Sequence, residues 1–369
     1  MTTSSLRFAL IGCAATIAPT HLRALQRIPD ATIVGMCDIN SEAGAARAAQ
    51  VGSPFFTDYR TMLAETQPDV TVIMTPHPLH PSHTLDALAV GTHVLVEKPM
   101  AVEVADADMM IAAAEKAQRI LAVNFQQRFR ASVEKARELI EGGAVGPLLR
   151  VLSIEPWFRP AIYFRQSTWR GRWDGEGGGV LMNQAPHSLD LLCYLAGMPV
   201  KVWGWTRTRH HAIETEDTAQ AMLEFANGAP GYLAFSTYEF GVERRLEIVG
   251  ENGILELVGK RVTLQRLSPS LPEYTATSQE MFGSPNRVTE VFDFSDDRGT
   301  HYHLYMDLIA AIREGRQPRA NGKEGLMSLE LANAITLSSY GGAAVTLPVD
   351  RAAYRALLSD LRAKAAAQG

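Results

Sequence analysis

The first residues that could do chemistry lie in a turn that follows an apolar run. Gly12 opens this turn after the run 8–11, and four further positions of the turn are Ala14, Ala15, Thr16 and Ile17. Glycine lets a backbone approach a pyrophosphate closely, and the free N–H groups at the start of the next helix bind such an anion. Ala14 and Ile17 stand where the usual dinucleotide fingerprint has its second and third glycines. Dinucleotide binding and a purely structural turn are therefore both open on this motif alone.

Two charged residues follow later apolar runs. Asp38 ends the second run, where a carboxylate can accept hydrogen bonds from both adenosine ribose hydroxyls and repel a 2′-phosphate. That role favours NAD over NADP, although a helix N-cap is the alternative for Asp38, and Ser41 could serve as that cap instead. Lys98 follows the fourth run. At the carboxyl end of a parallel strand this lysine would point into a ligand crevice; an exposed loop lysine is the alternative.

The elements that must position these residues are short apolar runs separated by segments of helical periodicity. The runs are 8–11, 32–36, 70–74, 93–96 and 120–123. Each has the length of a strand buried on both faces. Their alternation with helices predicts parallel pairing and right-handed crossovers. The first 125 residues are therefore predicted to be α/β, with a doubly wound parallel sheet that binds its ligand at the carboxyl ends of its strands.

The second part of the chain predicts a different sheet. A linking helix closed by Gly142-Gly143 precedes a series of strands. The turn residues Asn227-Gly228 and 251–253 each separate two apolar runs, and asparagine and glycine tolerate the positive φ of tight hairpins. Adjacent hairpins predict a mainly antiparallel sheet. The Ser- and Pro-rich stretch 268–300 is expected to form a long loop.

We therefore predict two domains. Residues 1–125 form a cofactor domain, and residues 126–369 form a domain for substrate binding and oligomerisation that ends in a helix from Arg351.

Three motifs in a fixed order resemble the Gfo/Idh/MocA family, the family of glucose-fructose oxidoreductase and myo-inositol dehydrogenase. They are Glu97-Lys98-Pro99 after a strand closed by Thr75-Pro76, the glycine run 177–179 that leads to His187, and the segments 305–315 and 329–348. The resemblance covers nearly the whole chain. It implies a Rossmann domain, an α+β domain with an open-faced, mainly antiparallel sheet, a tightly held nicotinamide cofactor, and redox chemistry at a carbinol of a sugar or cyclitol.

The resemblance also implies roles for single residues. Lys98 matches a lysine that binds cofactor and substrate, and His187 matches the catalytic histidine. Asn183 falls where many members have aspartate, so it can position a hydroxyl but cannot titrate, and proton transfer rests on His187 and Lys98. Asp190 either orients the His187 imidazole or is an ordinary polar helix residue. The cofactor-binding residues implied together are Gly12, Ala14, Ala15, Thr16, Ile17, Asp38, Thr75, Pro76, His80, Glu97 and Lys98.

The segment 157–173 interleaves aromatic rings with arginines and holds three of the five tryptophans. Flat rings beside polar donors suit a pyranose ring, and arginine adds recognition of a carboxylate or phosphate. Trp169 and Arg170 are accordingly predicted to contact the substrate, together with Lys98, Asn183 and His187. An interface loop in an oligomer is the alternative.

Composition limits the partners and the compartment. The net charge of −5 argues against nucleic-acid binding. Three cysteines favour a reducing compartment, and no apolar stretch approaches the roughly 20 residues of a membrane span, so we expect a cytoplasmic protein without a membrane partner. The histidines at 77, 80 and 83 have no cysteine or carboxylate close by in sequence, and no metal is expected. The resemblance implies subunit contacts on the exposed face of the sheet, and hence a homodimer or homotetramer.

Three functions are compatible with these observations. The first is an NAD-dependent dehydrogenase acting on a carbinol or ketone of a sugar, sugar derivative or cyclitol. The second is cleavage of a glycoside in which NAD transiently oxidises a hydroxyl before elimination. The third is a non-catalytic NAD-binding sensor, a reading that the loss of a titratable group at Asn183 favours and that the retention of Lys98 and His187 opposes.

Overall fold

The computed structural model describes residues 5–295 and 298–368 and divides them into two compact units. The first unit holds the residues up to Gln126 together with Asp174–Gly177 and Gly299–Leu329. The second unit holds Gln127–Trp173, Gly178–Arg298 and the residues from Glu330 onward. The first crossing between units lies next to the boundary that the sequence suggests, and two later stretches of chain then return to the first unit.

The first unit is built on a parallel sheet of six strands. They are β1 (Leu6–Ile11), β2 (Ala31–Cys37), β3 (Phe55–Phe56), β4 (Val70–Ile73), β5 (His93–Val96) and β6 (Leu121–Val123). Their order is β3-β2-β1-β4-β5-β6, which is the order of a Rossmann fold. The five apolar runs are strands as predicted; most of their residues are buried, although Thr32 at the start of the second run is exposed. The strand β3 was not predicted, since two residues carry no periodicity.

The helices of both units connect and cover the strands. In the described residues they are α1 (Ala18–Leu25), α2 (Ser41–Gln50), α3 (Tyr59–Thr66), α4 (His80–Ala89), α5 (Val104–Ala117), α6 (Ala131–Glu141), α7 (Ala161–Arg165), α8 (Val180–Asn183), α9 (Pro186–Ala196), α10 (Leu271–Thr277), α11 (His301–Glu314), α12 (Gly322–Gly341) and α13 (Arg351–Gln368). Short 3₁₀ helices span His77–Leu79 and Gln126–Phe129. Within this part of the chain, no helix combines the length and the apolar character that crossing a membrane requires.

The second unit is built on a nine-stranded sheet. Its strands are β7 (Leu148–Pro156), β8 (Lys201–Arg207), β9 (Thr218–Glu224), β10 (Pro230–Ser236), β11 (Arg245–Gly250), β12 (Gly253–Val258), β13 (Arg261–Ser268), β14 (Asn286–Asp293) and β15 (Val345–Thr346). Their order is β14-β13-β12-β11-β7-β10-β9-β8-β15, and only the β7–β10 pair is parallel. The predicted hairpins β9–β10 and β11–β12 and the terminal helix α13 are confirmed.

The expectation of a long loop at 268–300 is wrong in part. This stretch contains α10 and the edge strand β14, which pairs along its whole length with β13. The strand β14 is polar and largely exposed, so the apolar alternation that marks a strand in sequence is weak there.

One face of the second sheet is covered and the other carries exposed apolar side chains. The covered face includes Val202, Leu223 and Phe235, all buried. On the other face Trp203 of β8 lies opposite Met222 of β9, which lies opposite Tyr232 of β10. All three of these side chains are exposed, as is Trp205. The sheet therefore presents a row of large apolar side chains across three strands; we call Trp203, Trp205, Met222 and Tyr232 the open-face row.

Candidate active site

The turn after β1 has the shape of a dinucleotide-binding turn despite its missing glycines. Gly12 has a φ of +86°, and a Cβ built there would lie 2.9 Å from the carbonyl carbon of Met74. Only glycine fits this position, because both the conformation and the space exclude a side chain. At the other end of the turn, no side chain caps the first N–H groups of α1, where Ile17 is the N-cap residue. Uncapped N–H groups at a helix start suit a pyrophosphate.

Asp38 lies directly against this turn. Its Oδ2 accepts the N–H of Ala14 at 2.7 Å, and its Oδ1 accepts the N–H of Asn40 at 2.9 Å. The cap of α2 is Asn40, which accepts the N–H of Ala43, so neither Asp38 nor Ser41 has the capping role considered for them. Asp38 is therefore placed at the edge of the turn by a contact with the turn itself.

Arg47 was missed by the sequence analysis and holds the turn from α2. Its Nη1 donates to the carbonyl oxygens of Cys13 and Ala15 at 2.9 and 2.8 Å. The Cys13 thiol is buried in the same turn, and burial together with nearby Asp38 raises its pKa to about 12. That thiol therefore stays protonated near neutral pH and packs as a small apolar side chain.

His80 connects the ends of two neighbouring strands. Its Nε2 lies 2.7 Å from the carbonyl oxygen of Thr75, after β4, and its Nδ1 lies 2.9 Å from that of Pro99, after β5. Burial lowers the pKa of His80, so the imidazole is neutral near pH 7. His83 also serves this edge, since its Nδ1 lies 3.1 Å from the Thr75 hydroxyl. Thr75, Pro76 and His80 are therefore fixed together at the carboxyl edge of the parallel sheet.

The carboxylate of Glu97 lies at the same edge and is buried in a network of polar side chains. Its Oε1 accepts from His21 Nε2 at 2.8 Å and from Asn124 Nδ2, and it lies 3.7 Å from His301 Nε2. Its Oε2 accepts the backbone N–H of Lys98 at 3.3 Å. The hydroxyl of Tyr305 lies 2.7 Å from His21 Nδ1. We call Glu97, His21, Asn124, His301 and Tyr305 the Glu97 network; only Glu97 was named by sequence reasoning.

The network holds Glu97 ionised. Burial alone would raise the pKa of this carboxyl, but the hydrogen bond from His21 and the nearby imidazole of His301 keep it well below the usual value. Burial lowers the pKa of His21, which is therefore neutral. Since the Glu97 carboxylate only accepts, His21 carries its proton on Nε2, and its Nδ1 accepts from Tyr305.

The proton on His21 Nε2 also affects whether this group of side chains could bind a metal ion. His21, Glu97 and His301 each place one possible ligand atom within 4.8 Å of the others. A metal would need the lone pair on His21 Nε2, which the proton donated to Glu97 occupies. We therefore interpret the cluster as a hydrogen-bonded network.

In the second unit, Asn183 and His187 lie on two helices and not on one. Asn183 ends α8, and α9 begins at Pro186, so the spacing of four between Asn183 and His187 does not place both side chains on one face of a single helix. Proline at the first position of α9 explains the break, because it starts helices and interrupts them. His187 is buried, as are its first-turn neighbours Pro186 and Leu189.

Two buried carboxylates fix these helices. Glu216 Oε1 accepts the N–H groups of Gly179 and Leu181 at 2.9 and 3.0 Å, which pins the start of α8. Burial raises the pKa of Glu216 to about 7. On α9, the fully buried Asp190 accepts from Arg128 Nε at 2.9 Å and from Arg128 Nη2 at 2.6 Å. Asp190 is thus a partner in a buried ion pair, a role that sequence reasoning did not consider.

The aromatic segment of the second unit is organised by arginines over rings. The guanidinium of Arg170 lies 4.3 Å from the ring centre of Tyr163 and 5.1 Å from that of Trp169. Its buried Nε has no hydrogen-bond partner in the described residues. All the cofactor candidates lie in the first unit, whereas Asn183, His187, Trp169 and Arg170 lie in the second.

Two family models match the chain. Residues 6–125 match the model of an oxidoreductase family with an NAD-binding Rossmann fold, and residues 133–256 match that of the GFO/IDH/MocA C-terminal domain. The first range contains the whole parallel sheet, and the second contains β7 to β11 and most of β12.

Curated proteins and solved structures show the same relationship. The D-glucoside 3-dehydrogenase of Escherichia coli is 30% identical over 249 residues, which cover 65% of this chain and 67% of that protein. The myo-inositol 2-dehydrogenase of Thermotoga maritima is 24% identical over 338 residues, which cover 89% of this chain and 95% of that protein. The WlbA dehydrogenase from Bordetella pertussis, solved with NADH and UDP-GlcNAcA, is 32% identical with a TM-score of 0.80, covering 94% of this chain and 100% of that chain.

The Glu97 network predicts the effect of a charge-removing variant. Glu97→Gln keeps one oxygen for the His21 and Asn124 donors, but it removes the negative charge and puts an NH₂ group opposite the backbone N–H of Lys98. We expect the free energy of unfolding at pH 7 to fall by roughly 3 kcal/mol or more, since each hydrogen bond to an ionised group contributes roughly 1.5–3 kcal/mol. Urea denaturation followed by circular dichroism measures the change.

Glu115→Gln is the matched control, because its carboxylate is exposed on α5 and pairs with Lys323 at 2.7 Å; its loss should stay below about 1 kcal/mol. The folded pKa of Glu97 lies well below the usual 4.5, so its stabilisation is complete above that value and is lost as the pH falls through the folded pKa. The difference between wild type and E97Q should therefore shrink in strong acid. Equal losses in E97Q and E115Q at pH 7 would contradict an ionised network.

Proposed function

This chain belongs to the Gfo/Idh/MocA family of NAD-binding oxidoreductases, and we propose that it transfers a hydride between nicotinamide and a carbinol or ketone of a sugar, sugar derivative or cyclitol. The observation that carries this proposal is the carboxyl edge of the parallel sheet. There the Gly12 turn, Asp38 and the backbone of Lys98 are each held by hydrogen bonds, in the place where a doubly wound sheet binds its ligand. Relatives named as dehydrogenases of myo-inositol and D-glucosides support the substrate class.

The protein residues would handle the hydroxyl proton. Bound nicotinamide supplies the hydride acceptor or donor. A lysine ammonium at Lys98 lowers the pKa of a substrate alcohol and stabilises the alkoxide that develops. A neutral imidazole at His187 accepts the hydroxyl proton, while the amide of Asn183 holds a hydroxyl in place without titrating.

Trp169 and Arg170 are proposed as contacts to the substrate. The partnerless Nε of Arg170 and the ring faces stacked on its guanidinium offer a donor beside apolar surfaces, which suits a sugar ring.

Single substitutions of Lys98 and His187 test the reaction. Lys98→Ala and His187→Ala should fold normally by circular dichroism and lose roughly 10²–10⁴-fold in turnover, the range of general acid–base catalysis. Turnover is read as NADH absorbance during a screen of sugars, uronates and inositols. Lys116→Ala and His210→Ala are matched controls, because both side chains are exposed. A double Lys98/His187 variant with wild-type turnover would refute the assignment, and aglycone release without net NADH would favour redox-assisted glycoside cleavage.

Asp38 is proposed to set a preference for NAD over NADP. Asp38→Asn keeps an oxygen for the Ala14 N–H and removes the charge that would repel a 2′-phosphate. We expect the ratio of kcat/KM for NADP to that for NAD to rise by roughly tenfold or more, because repulsion between charges a few ångströms apart is on the order of 1–4 kcal/mol. Glu42→Ala, an exposed acid at the start of α2, should leave the ratio unchanged. An unchanged ratio in D38N would rule out the proposed role.

We also propose that the chain is cytoplasmic and forms a homodimer or homotetramer through its open-face row. Exposed apolar side chains in register across three strands are typical of an interface, and the three buried, free cysteines suit a reducing compartment. Trp203→Lys combined with Met222→Glu should lower the sedimentation coefficient of the assembly, whereas Phe282→Glu, which changes an exposed aromatic elsewhere, should not. A monomeric wild type at micromolar concentration would overturn this proposal.

A further inference from the structure

A cavity of about 380 Å³ lies wholly within the second unit and has no part in the proposed proton chemistry. It opens where α6 begins, beside β7 and β11, and α9 contributes Ser188 and Leu191 to its wall. Ser188, which lines the cavity, directly follows the candidate base His187 in the sequence. Its volume is in the range of small-molecule sites.

The buried carboxylate of this cavity already has its counter-charge. Burial raises the pKa of Glu155, and hydrogen bonds from Ser188 and Arg244 oppose that rise. Arg244 Nη1 donates to Glu155 Oε1 at 3.2 Å, and the same guanidinium lies 4.5 Å from the ring centre of Trp157. Glu155 and Arg244 therefore neutralise one another.

Arg130 adds a second guanidinium whose charge is not balanced in this way. It is half-buried, and burial and then the nearby Arg244 lower its pKa, which Glu155 opposes. Within residues 5–295 and 298–368, its guanidinium makes no hydrogen bond and no ion pair. Arg130 is also the N-cap residue of α6, where no side chain caps the helix and the helix dipole adds positive potential. A cation in low dielectric favours an anion beside it.

The remaining charges of the cavity lie at its solvent-exposed rim. Glu239 and Glu243 are on the exposed loop before β11, and Arg245 pairs with Glu256 at 3.9 Å. Solvent and salt screen such charges far more than they screen buried ones. The inner part of the cavity is therefore net positive.

The mouth of the cavity is aromatic. Phe158 is 41% exposed and Phe240 is 85% exposed, and their ring centres are 5.8 Å apart. Such rings offer an apolar surface for the carbon skeleton of a ligand whose charged group reaches inward.

We infer that this cavity is a subsite for an oxyanion on the substrate, a carboxylate or phosphate group bound by Arg130 and Arg244, with Phe158 and Phe240 packed against the skeleton that carries it. The inference deepens the proposed function, because it narrows the sugar-like substrate to one with an acidic group. The fork of N–H donors on each guanidinium suits both kinds of oxyanion, and the sources are a sugar acid or a sugar phosphate.

Isothermal titration with matched pairs of probes tests this subsite. Glucuronate is compared with glucose, and glucose 6-phosphate with glucose, each with and without NAD. We expect the wild-type protein to bind at least one anionic probe about tenfold or more tightly than glucose. Arg130→Gln and Arg244→Gln should each weaken the anionic probe by roughly 10–100-fold, the value of a charge-assisted hydrogen bond, and leave glucose unchanged. Arg130→Lys, which keeps the charge but not the fork, should lie between wild type and R130Q.

Arg261→Gln is the control, because this arginine of β13 is exposed and pairs with Asp293 at 2.7 Å. It should bind every probe as the wild type does. The probe that discriminates identifies the source of the anion. Equal binding of glucose and both anionic probes by the wild type, or wild-type discrimination in folded R130Q and R244Q, would overturn the inference.

These outcomes are separate from those that test the reaction. Arginine-dependent anion binding in a protein that produces no NADH with any probe supports the subsite and rejects the dehydrogenase. NADH production from neutral sugars, with no tighter binding of the anionic probes, supports the dehydrogenase and rejects the subsite.

Discussion

The burial of one charge, the carboxylate of Glu97, constrains the first unit more than any other single interaction. An ion inside a protein costs several kcal/mol unless it is paired and hydrogen-bonded. Here the donors come from α1 through His21 and from the end of β6 through Asn124, and His301 of α11 lies 3.7 Å from the same carboxylate oxygen. The helix after the Gly12 turn, the sheet edge and a helix from much later in the chain must therefore meet at one point. Because Lys98 is the next residue, and its N–H donates to the same carboxylate, the packing of the charge also sets the position of Lys98.

In the second unit, too, buried carboxyl groups fix the position of helices. Glu216 is buried against backbone N–H groups at the start of α8, and Asp190 on α9 is buried against Arg128. A buried carboxylate without hydrogen-bond partners is strongly unfavourable. The start of α8 must therefore lie against Glu216, and α9 must place Asp190 against Arg128. Asn183 and His187 are carried on these two helices. In the first unit, Lys98 directly follows the buried Glu97 carboxylate. In the second unit, the helices that carry Asn183 and His187 are held by the buried carboxyl groups of Glu216 and Asp190.

The sequence predicts well those parts of the molecule that local patterns determine. The parallel strands are apolar on both faces, and the hairpin at Asn227-Gly228 has residues that tolerate its turn, since Gly228 has a φ of +83°. It predicts poorly what depends on distant partners. His21 and Tyr305 are 284 positions apart, and nothing local connects them. One signal was available: His301 and Tyr305 are four residues apart, so a helix over this segment places both side chains on one face. The polar edge strand β14 and the two-residue β3 carry no such signal.

The number of arginines in a segment does not show which of them could bind an anion. The arginines between 157 and 173 suggest anion recognition by their number, yet two of them are stacked on rings: Arg159 on Trp157 and Tyr163, and Arg170 on Tyr163 and Trp169. A guanidinium stacked on an aromatic ring is stabilised by the ring face, so such an arginine is not by itself evidence of a bound anion. Arg130 has neither a ring nor a carboxylate bonded to it in the described residues, although it is more buried than a surface arginine. A bound oxyanion would offset the free-energy cost of keeping the Arg130 charge partly buried. Whether an arginine is a candidate to bind an anion therefore depends on its existing partners, and not on how many arginines lie nearby.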